Sequence, residues 1–134
     1  MLLMDRIDQT IHDSNRNKQV SAGIFLDFDN FKTVNDTYGH VTGDHVLIEV
    51  SDRLKASIRA ADTVARLSGD EFFVLARDIK SVDQAKAFAN KLLAQIKEPY
   101  SFDGEELTTP LFASIGICVF PIQRCHCFRR NRQS

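Results

Sequence analysis

The chain has 134 residues, 43% of them apolar, with 17 basic and 18 acidic side chains that leave a formal charge of -1. That length closes one hydrophobic core and leaves little room for a second domain, and the near-neutral charge excludes a general attraction to nucleic acid or anionic lipid, so any anion site must be local. Three cysteines, Cys118, Cys125 and Cys127, crowd towards the C-terminus, which excludes a disulfide-stapled secreted framework and points to a reducing cytoplasm.

Met1-Leu2-Leu3-Met4 meets Asp5 too early for a signal peptide. Leu3, Ile7 and Ile11 recur at helical spacing, so the chain is expected to begin in a helix that the polar run 13–18 ends. Residues 20–26 read as a buried strand closed by an acid pair, Asp27 and Asp29. Asn30-Phe31-Lys32 follows as the start of a short helix, where unpaired backbone amides suit phosphate and Lys32 adds a full positive charge. Val46, Leu47, Val50, Leu54 and Ile58 form the stripe of a long helix, with Gly43-Asp44 as its expected start. Next comes a hairpin, 63–67 and 72–76, whose turn sets Asp70 and Glu71 beside Gly69, a glycine expected at positive φ. Ala85, Phe88, Ala89, Leu92, Leu93 and Ile96 mark a further helix, and 100–102, 107–109 and 112–120 are strand candidates. The longest apolar run, 111–120, is too short to cross a bilayer. Helices and strands interleaved with hairpins and crossovers predict an α+β fold of the ferredoxin-like kind: a mixed, mainly antiparallel sheet with helices packed on it.

Neighbouring strands would bring Asp27 to Asp70 and Glu71. Carboxylates converging at strand ends are hard oxygen ligands suited to magnesium, which takes one or two of them and completes its shell with water and substrate phosphates. An Asp-x-Asp at a strand end is by itself more often a solvated turn, and Lys32, Asn35 and Asp44 taken singly are surface or capping residues; only their joint order promotes them. Cys125-His126-Cys127 lacks the second ligand pair that tetrahedral zinc needs.

Four blocks stand in order: Asp27-Phe28-Asp29-Asn30-Phe31-Lys32, Val34-Asn35-Asp36-Thr37-Tyr38-Gly39-His40, Gly43-Asp44, and Arg66-Leu67-Ser68-Gly69-Asp70-Glu71-Phe72. Together they resemble the GGDEF domain, the catalytic unit of diguanylate cyclases, over residues 1–121. The resemblance implies a palm-type nucleotidyl cyclase fold that condenses two GTP molecules into cyclic di-GMP and pyrophosphate with Mg2+ or Mn2+, one GTP on each subunit of a transient homodimer. At the matching positions it implies Asp27, Asp70 and the carbonyl of Phe28 as metal ligands. Asp70 is the implied proton acceptor, and Glu71 the other candidate for base or second-metal ligand; both assignments stay open. Lys32 is implied to stabilise the transition state, Asn35 and Asp44 to hold guanine, and Asn30, Phe31, Ser68 and Gly69 to line the substrate site. Arg59-Ala60-Ala61-Asp62 matches the family's inhibitory RxxD motif, where Arg59 would grip a phosphate or stack on guanine of cyclic di-GMP and Asp62 would read a guanine edge. A surface salt bridge between the two is the plain alternative. The alternative function is a catalytically inactive GTP- or cyclic di-GMP-binding regulatory module, fused in a longer parent to a sensory or EAL domain.

Three departures stand beside this resemblance. Ser68 replaces the first glycine of the motif, the chain starts inside the first helix, and after Pro121 a basic, cysteine-containing stretch replaces the family's next helix and last strand. Residues 1–121 are therefore expected to form a domain incomplete at both ends, and 122–134 a disordered or irregularly packed tail at a truncated or frame-shifted end.

Overall fold

The computed structural model describes residues 2–17, 20–120 and 125–128. In chain order the elements are α1 (Leu2–Asn17), β1 (Ser21–Phe28), α2 (Phe31–Tyr38), α3 (His40–Ser57), β2 (Thr63–Ser68), β3 (Glu71–Ala76), α4 (Val82–Lys97), β4 (Ser101–Phe102), β5 (Glu105–Glu106), β6 (Ala113–Phe120) and β7 (Cys125–Phe128). β4 and β5 pair only with each other, and the remaining strands form a sheet in the order β2-β3-β1-β6-β7. Every pairing among them is antiparallel. The expected α+β architecture is present, with β1 at its centre.

The layers follow from the strand period. Ala22, Ile24, Leu26 and Phe28 of β1, with Phe72, Val74 and Ala76 of β3 and Ala113, Ile115 and Ile117 of β6, bury one face of the sheet against α2, α3 and α4. The helices answer with Phe31 and Val34, with Val46, Leu47, Val50 and Leu54, and with Ala85, Ala89, Leu92, Leu93 and Ile96. On the other face Phe73 and Leu75 pack against Ile7 of α1, and Phe25 lies 4.7 Å from Phe73, ring to ring, while staying 44% exposed.

Arg53 locks α3 to the end of α4. Its Nη1 donates to the carbonyls of Gln95 (2.9 Å) and Glu98 (2.8 Å) and its Nη2 to Pro99 (2.7 Å), while the guanidinium lies 3.9 Å from the Tyr100 ring centroid. These carbonyls belong to the last turn of α4 and the residues after it, where helical partners run out and a cation is favoured.

Several boundaries differ from the sequence reading. α3 starts at His40 rather than at Gly43-Asp44, because Gly39 turns the chain between α2 and α3 at φ 91° and ψ 163°, a conformation open to glycine. β5 lies at Glu105–Glu106 rather than 107–109, since Asp103 and Gly104, at φ 53° and 79°, make the turn there. The irregular tail expected for 122–134 needs correction at Cys125–Phe128, which pairs with β6 from Ile115↔Phe128 to Cys118↔Cys125. The flank of β6 away from β1 offers backbone groups that such a strand satisfies; the rest of that tail lies outside the described residues. Between Arg66 and Ser68 the β2–β3 ladder carries a bulge.

Candidate functional site

Antiparallel pairing of β1 with β3 sets Asp27 opposite Glu71, and the Phe28 amide donates to the Asp70 carbonyl at 3.3 Å. Acids separated by more than forty positions in sequence thus meet at one end of the two neighbouring strands. Asp27 and Glu71 are exposed and Asp70 is half-buried. Among the described residues no three His, Cys, Asp or Glu side chains form a closed cage. Two carboxylates and the Phe28 carbonyl suit an ion that keeps several water or phosphate ligands, as magnesium does.

The turn is pinned from both sides. Arg66 Nε donates to the Gly69 carbonyl at 2.8 Å, and Ser68 Oγ donates to Glu71 Oε1 at 2.5 Å. Gly69 is not at positive φ, contrary to expectation. A Cβ there would meet nothing within 4 Å, so the fold does not demand glycine and the turn has open space beside it.

Directly after β1, Asn30 leads into α2, with Phe31 buried and Lys32 exposed in its first turn. The Asn30 side chain, expected on substrate, is engaged within the fold: Nδ2 donates to the Pro110 carbonyl at 2.6 Å and Oδ1 accepts from the Phe112 amide at 3.1 Å. At the far end of α2, Tyr38 Oη accepts from the Thr108 amide at 2.9 Å and lies 3.0 Å from Thr108 Oγ1. Hydrogen bonds from Thr108, then Thr109, lower its pKa to about 8. Asn35 lies on α2 against Gly43 of α3, so close that a Cβ on Gly43 would stand 1.8 Å from Asn35 Oδ1. Asn35 is half-buried and the neighbouring Asp44 is exposed, so both occupy the α2–α3 corner.

Arg59 and Asp62 sit beyond the opposite end of β2, whose first residue, Thr63, pairs with Leu75 while its last, Ser68, pairs with Glu71. At a strand rise of about 3.3 Å per residue that separates them from the acidic turn by roughly 15–20 Å. They form a salt bridge, with Asp62 buried rather than on the surface: its side chain is 0% exposed against 55% for Arg59. The Asp62 carboxylate accepts from the Arg59 amide, Nε and Nη2 and from the Arg77 amide, at 3.0–3.1 Å. With its lone pairs so engaged, Asp62 does not present the guanine-reading edge that the motif implied. Arg77 continues the chain of contacts to Asp13 of α1 at 2.5 Å. Tyr38 stands in one of the matching blocks without an assigned role, and Thr108 and Arg77 were not singled out in sequence; their partners are distant along the chain and none belongs to a periodic pattern.

No helix among the described residues is long and apolar enough to cross a membrane. The family model described as "Diguanylate cyclase, GGDEF domain" matches residues 1–127. Among curated proteins, the chain is 46% identical over 121 residues to the bifunctional diguanylate cyclase/cyclic di-GMP phosphodiesterase MucR of Pseudomonas aeruginosa, covering 90% of this chain and 17% of that one. It is 37% identical over 117 residues to diguanylate cyclase TpbB of the same species, covering 87% of this chain and 26% of that one. The chain thus spans about a quarter or less of these relatives' length. Among solved structures, the isolated GGDEF domain of TpbB superposes with a TM-score of 0.83 at 34% identity, over 90% of this chain and 69% of that one.

Proposed function

The chain belongs to the GGDEF family of diguanylate cyclase domains, and from that premise we propose that it condenses two GTP molecules into cyclic di-GMP and pyrophosphate. Each protomer of a transient homodimer holds one GTP. Each of the two 3′-hydroxyls in turn loses a proton and joins its oxygen to the α-phosphate of the other GTP, so two phosphodiester bonds form and two pyrophosphates leave in line. Asp27, Asp70 and the Phe28 carbonyl would hold a divalent cation, Mg2+ or Mn2+, which would supply the positive charge that the phosphates require. Asp70 accepts the proton, with Glu71 as the other base or ligand. Lys32 adds its charge beside the same oxygens, and the first-turn amides of α2 with the open side of Ser68 and Gly69 receive the triphosphate. Asp44 accepts from guanine N1 and N2 while the Asn35 amide serves another guanine edge. Adenine lacks that donor pair, so GTP is favoured over ATP.

The single observation supporting this reading most is the strand register that sets Asp27 opposite Glu71, with the Phe28 amide on the Asp70 carbonyl, where β1 leads into α2. Product inhibition is part of the proposal: the half-exposed Arg59 guanidinium contacts cyclic di-GMP, and Asp62 anchors that arginine. In a longer parent, within the cytoplasm, a fused sensory or EAL domain supplies the input.

Purified protein given GTP and magnesium is expected to form cyclic di-GMP and pyrophosphate, with both lost in Asp70→Ala. Arg59→Ala keeps the initial rate and accumulates more product; an unchanged progress curve counts against the inhibitory role. One observation favours the second reading, a binding module without turnover: the Ser68 hydroxyl engages Glu71, a carboxylate the catalyst needs. Binding of GTP or cyclic di-GMP with no product supports the module, and absence of both binding and product overturns the two readings together.

A further inference from the structure

We propose that residues 107–112 form a strap that sets the position of α2, and that Asn30, Tyr38 and Thr108 are positioning residues for nucleotide binding. The inference rests on the GTP-binding reading of α2. It deepens that reading by assigning a role to side chains that touch no substrate.

α2 is an eight-residue helix that buries only Phe31 and Val34. A helix this short is unstable alone, so its orientation depends on what holds it. The strap holds both ends. At the N-terminal end Asn30 bonds Pro110 and Phe112, and the neighbouring Asp29 amide donates to the Phe112 carbonyl at 2.9 Å. At the C-terminal end Tyr38 bonds the amide and hydroxyl of Thr108. The strap itself is fixed to the core, with Leu107 and Leu111 buried and the Leu107 amide donating to the Tyr100 carbonyl at 2.8 Å.

Lengths agree as well. From Asn30 to Tyr38 a helix rises about 12 Å, and an extended chain from Thr108 to Phe112 reaches about 13–14 Å. The strap therefore runs antiparallel beside the helix with little slack, and Pro110 stiffens its middle by fixing φ. A shift of α2 along its axis must break one end of this ladder. The same helix carries the Phe31 and Lys32 amides and the Asn35 side chain, so the strap sets where both stand relative to the acids Asp27, Asp70 and Glu71 at the strand ends.

The test compares GTP binding by calorimetry in magnesium, steady-state kinetics, thermal midpoint and amide exchange across α2 for the parent, Tyr38→Phe, Asn30→Ala and Thr37→Ala, the last an exposed residue on the same helix. Tyr38→Phe is expected to stay folded, weaken GTP about five- to tenfold, in KM more than in kcat, and speed exchange in α2 but not in β1 or β3. Asn30→Ala has the larger effect, and Thr37→Ala matches the parent. Should Asn30→Ala fail to fold, Tyr38→Phe decides alone. A parent that binds and converts GTP, with a folded Tyr38→Phe indistinguishable from it, overturns the strap and leaves the cyclase reading standing. A parent that binds no GTP overturns that reading, and the strap's role in nucleotide binding with it.

Discussion

Replacing Gly43 by alanine separates stability from recognition at a single atom. The new Cβ would stand 1.8 Å from Asn35 Oδ1 and 3.3 Å from Phe31 Cζ, where ordinary contact begins at 3.4 Å. The obstructing atom is the far end of a side chain, so Asn35 clears the clash by leaving its rotamer, at a cost of about 0.5–1.5 kcal/mol. Against this, alanine is favoured over glycine inside a helix by about 1 kcal/mol. The two nearly cancel, so stability should change by less than about 1 kcal/mol and the thermal midpoint by no more than about 4 °C. Recognition has no such compensation. Loss of the Asn35 contact to guanine is expected to weaken GTP about five- to tenfold and to narrow the preference for GTP over ATP. Thermal unfolding followed by calorimetric titration with both nucleotides measures each quantity. A Gly43→Ala protein with parental GTP affinity refutes the assignment of Asn35, and a stability loss of several kcal/mol refutes the idea that the side chain alone moves.

Arg53→Met retains much of the stem over Tyr100 but removes three hydrogen bonds to the end of α4; urea denaturation should show a loss of about 2–4 kcal/mol, and less than about 1 kcal/mol would deny Arg53 its locking role. Ser68→Gly releases Glu71 Oε1 and should lower the magnesium concentration for half-maximal activity several-fold; an unchanged metal titration shows that the hydroxyl does not compete. The protein has two tyrosines and no tryptophan, so ultraviolet titration should resolve Tyr38 at about 8 and Tyr100, pushed up by burial, above the usual tyrosine range. Because folding favours the Tyr38 phenolate, its contribution to stability is present above the unfolded value of about 10 and is lost as pH falls through about 8. Thr108→Val should move that midpoint upward, and a parental Tyr38 titrating near its ordinary value excludes the perturbation.

Much of the frame was legible because strand and helix periods are local. Buried residues at alternate positions of β1, and the stripes of α3 and α4, are written in runs short enough to read directly. The meeting of Asp27 with Asp70 and Glu71 was also accessible, since the strands carrying them were each identifiable and adjacent strands must register. The tertiary commitments were not. Asn30 and Phe112 are 82 positions apart and Tyr38 and Thr108 are 70 apart, and no periodicity links such pairs. Asp62 carries no sequence mark of burial; its saturation depends on the Arg77 amide, supplied by a different strand end. The start of α3 was obscured because Gly43, which faces the Asn35 side chain of α2, looks in sequence like a boundary, while the real one is Gly39.

β2 is the outermost strand of its sheet, so one row of its backbone groups faces outward. Such a margin is the usual template on which misassembled chains polymerise. The bulge between Arg66 and Ser68 breaks its regularity, and the exposed Arg66, held on the Gly69 carbonyl, adds a charge beside that margin. The irregularity beside the acidic turn therefore also leaves the sheet a less regular margin for a second chain to extend.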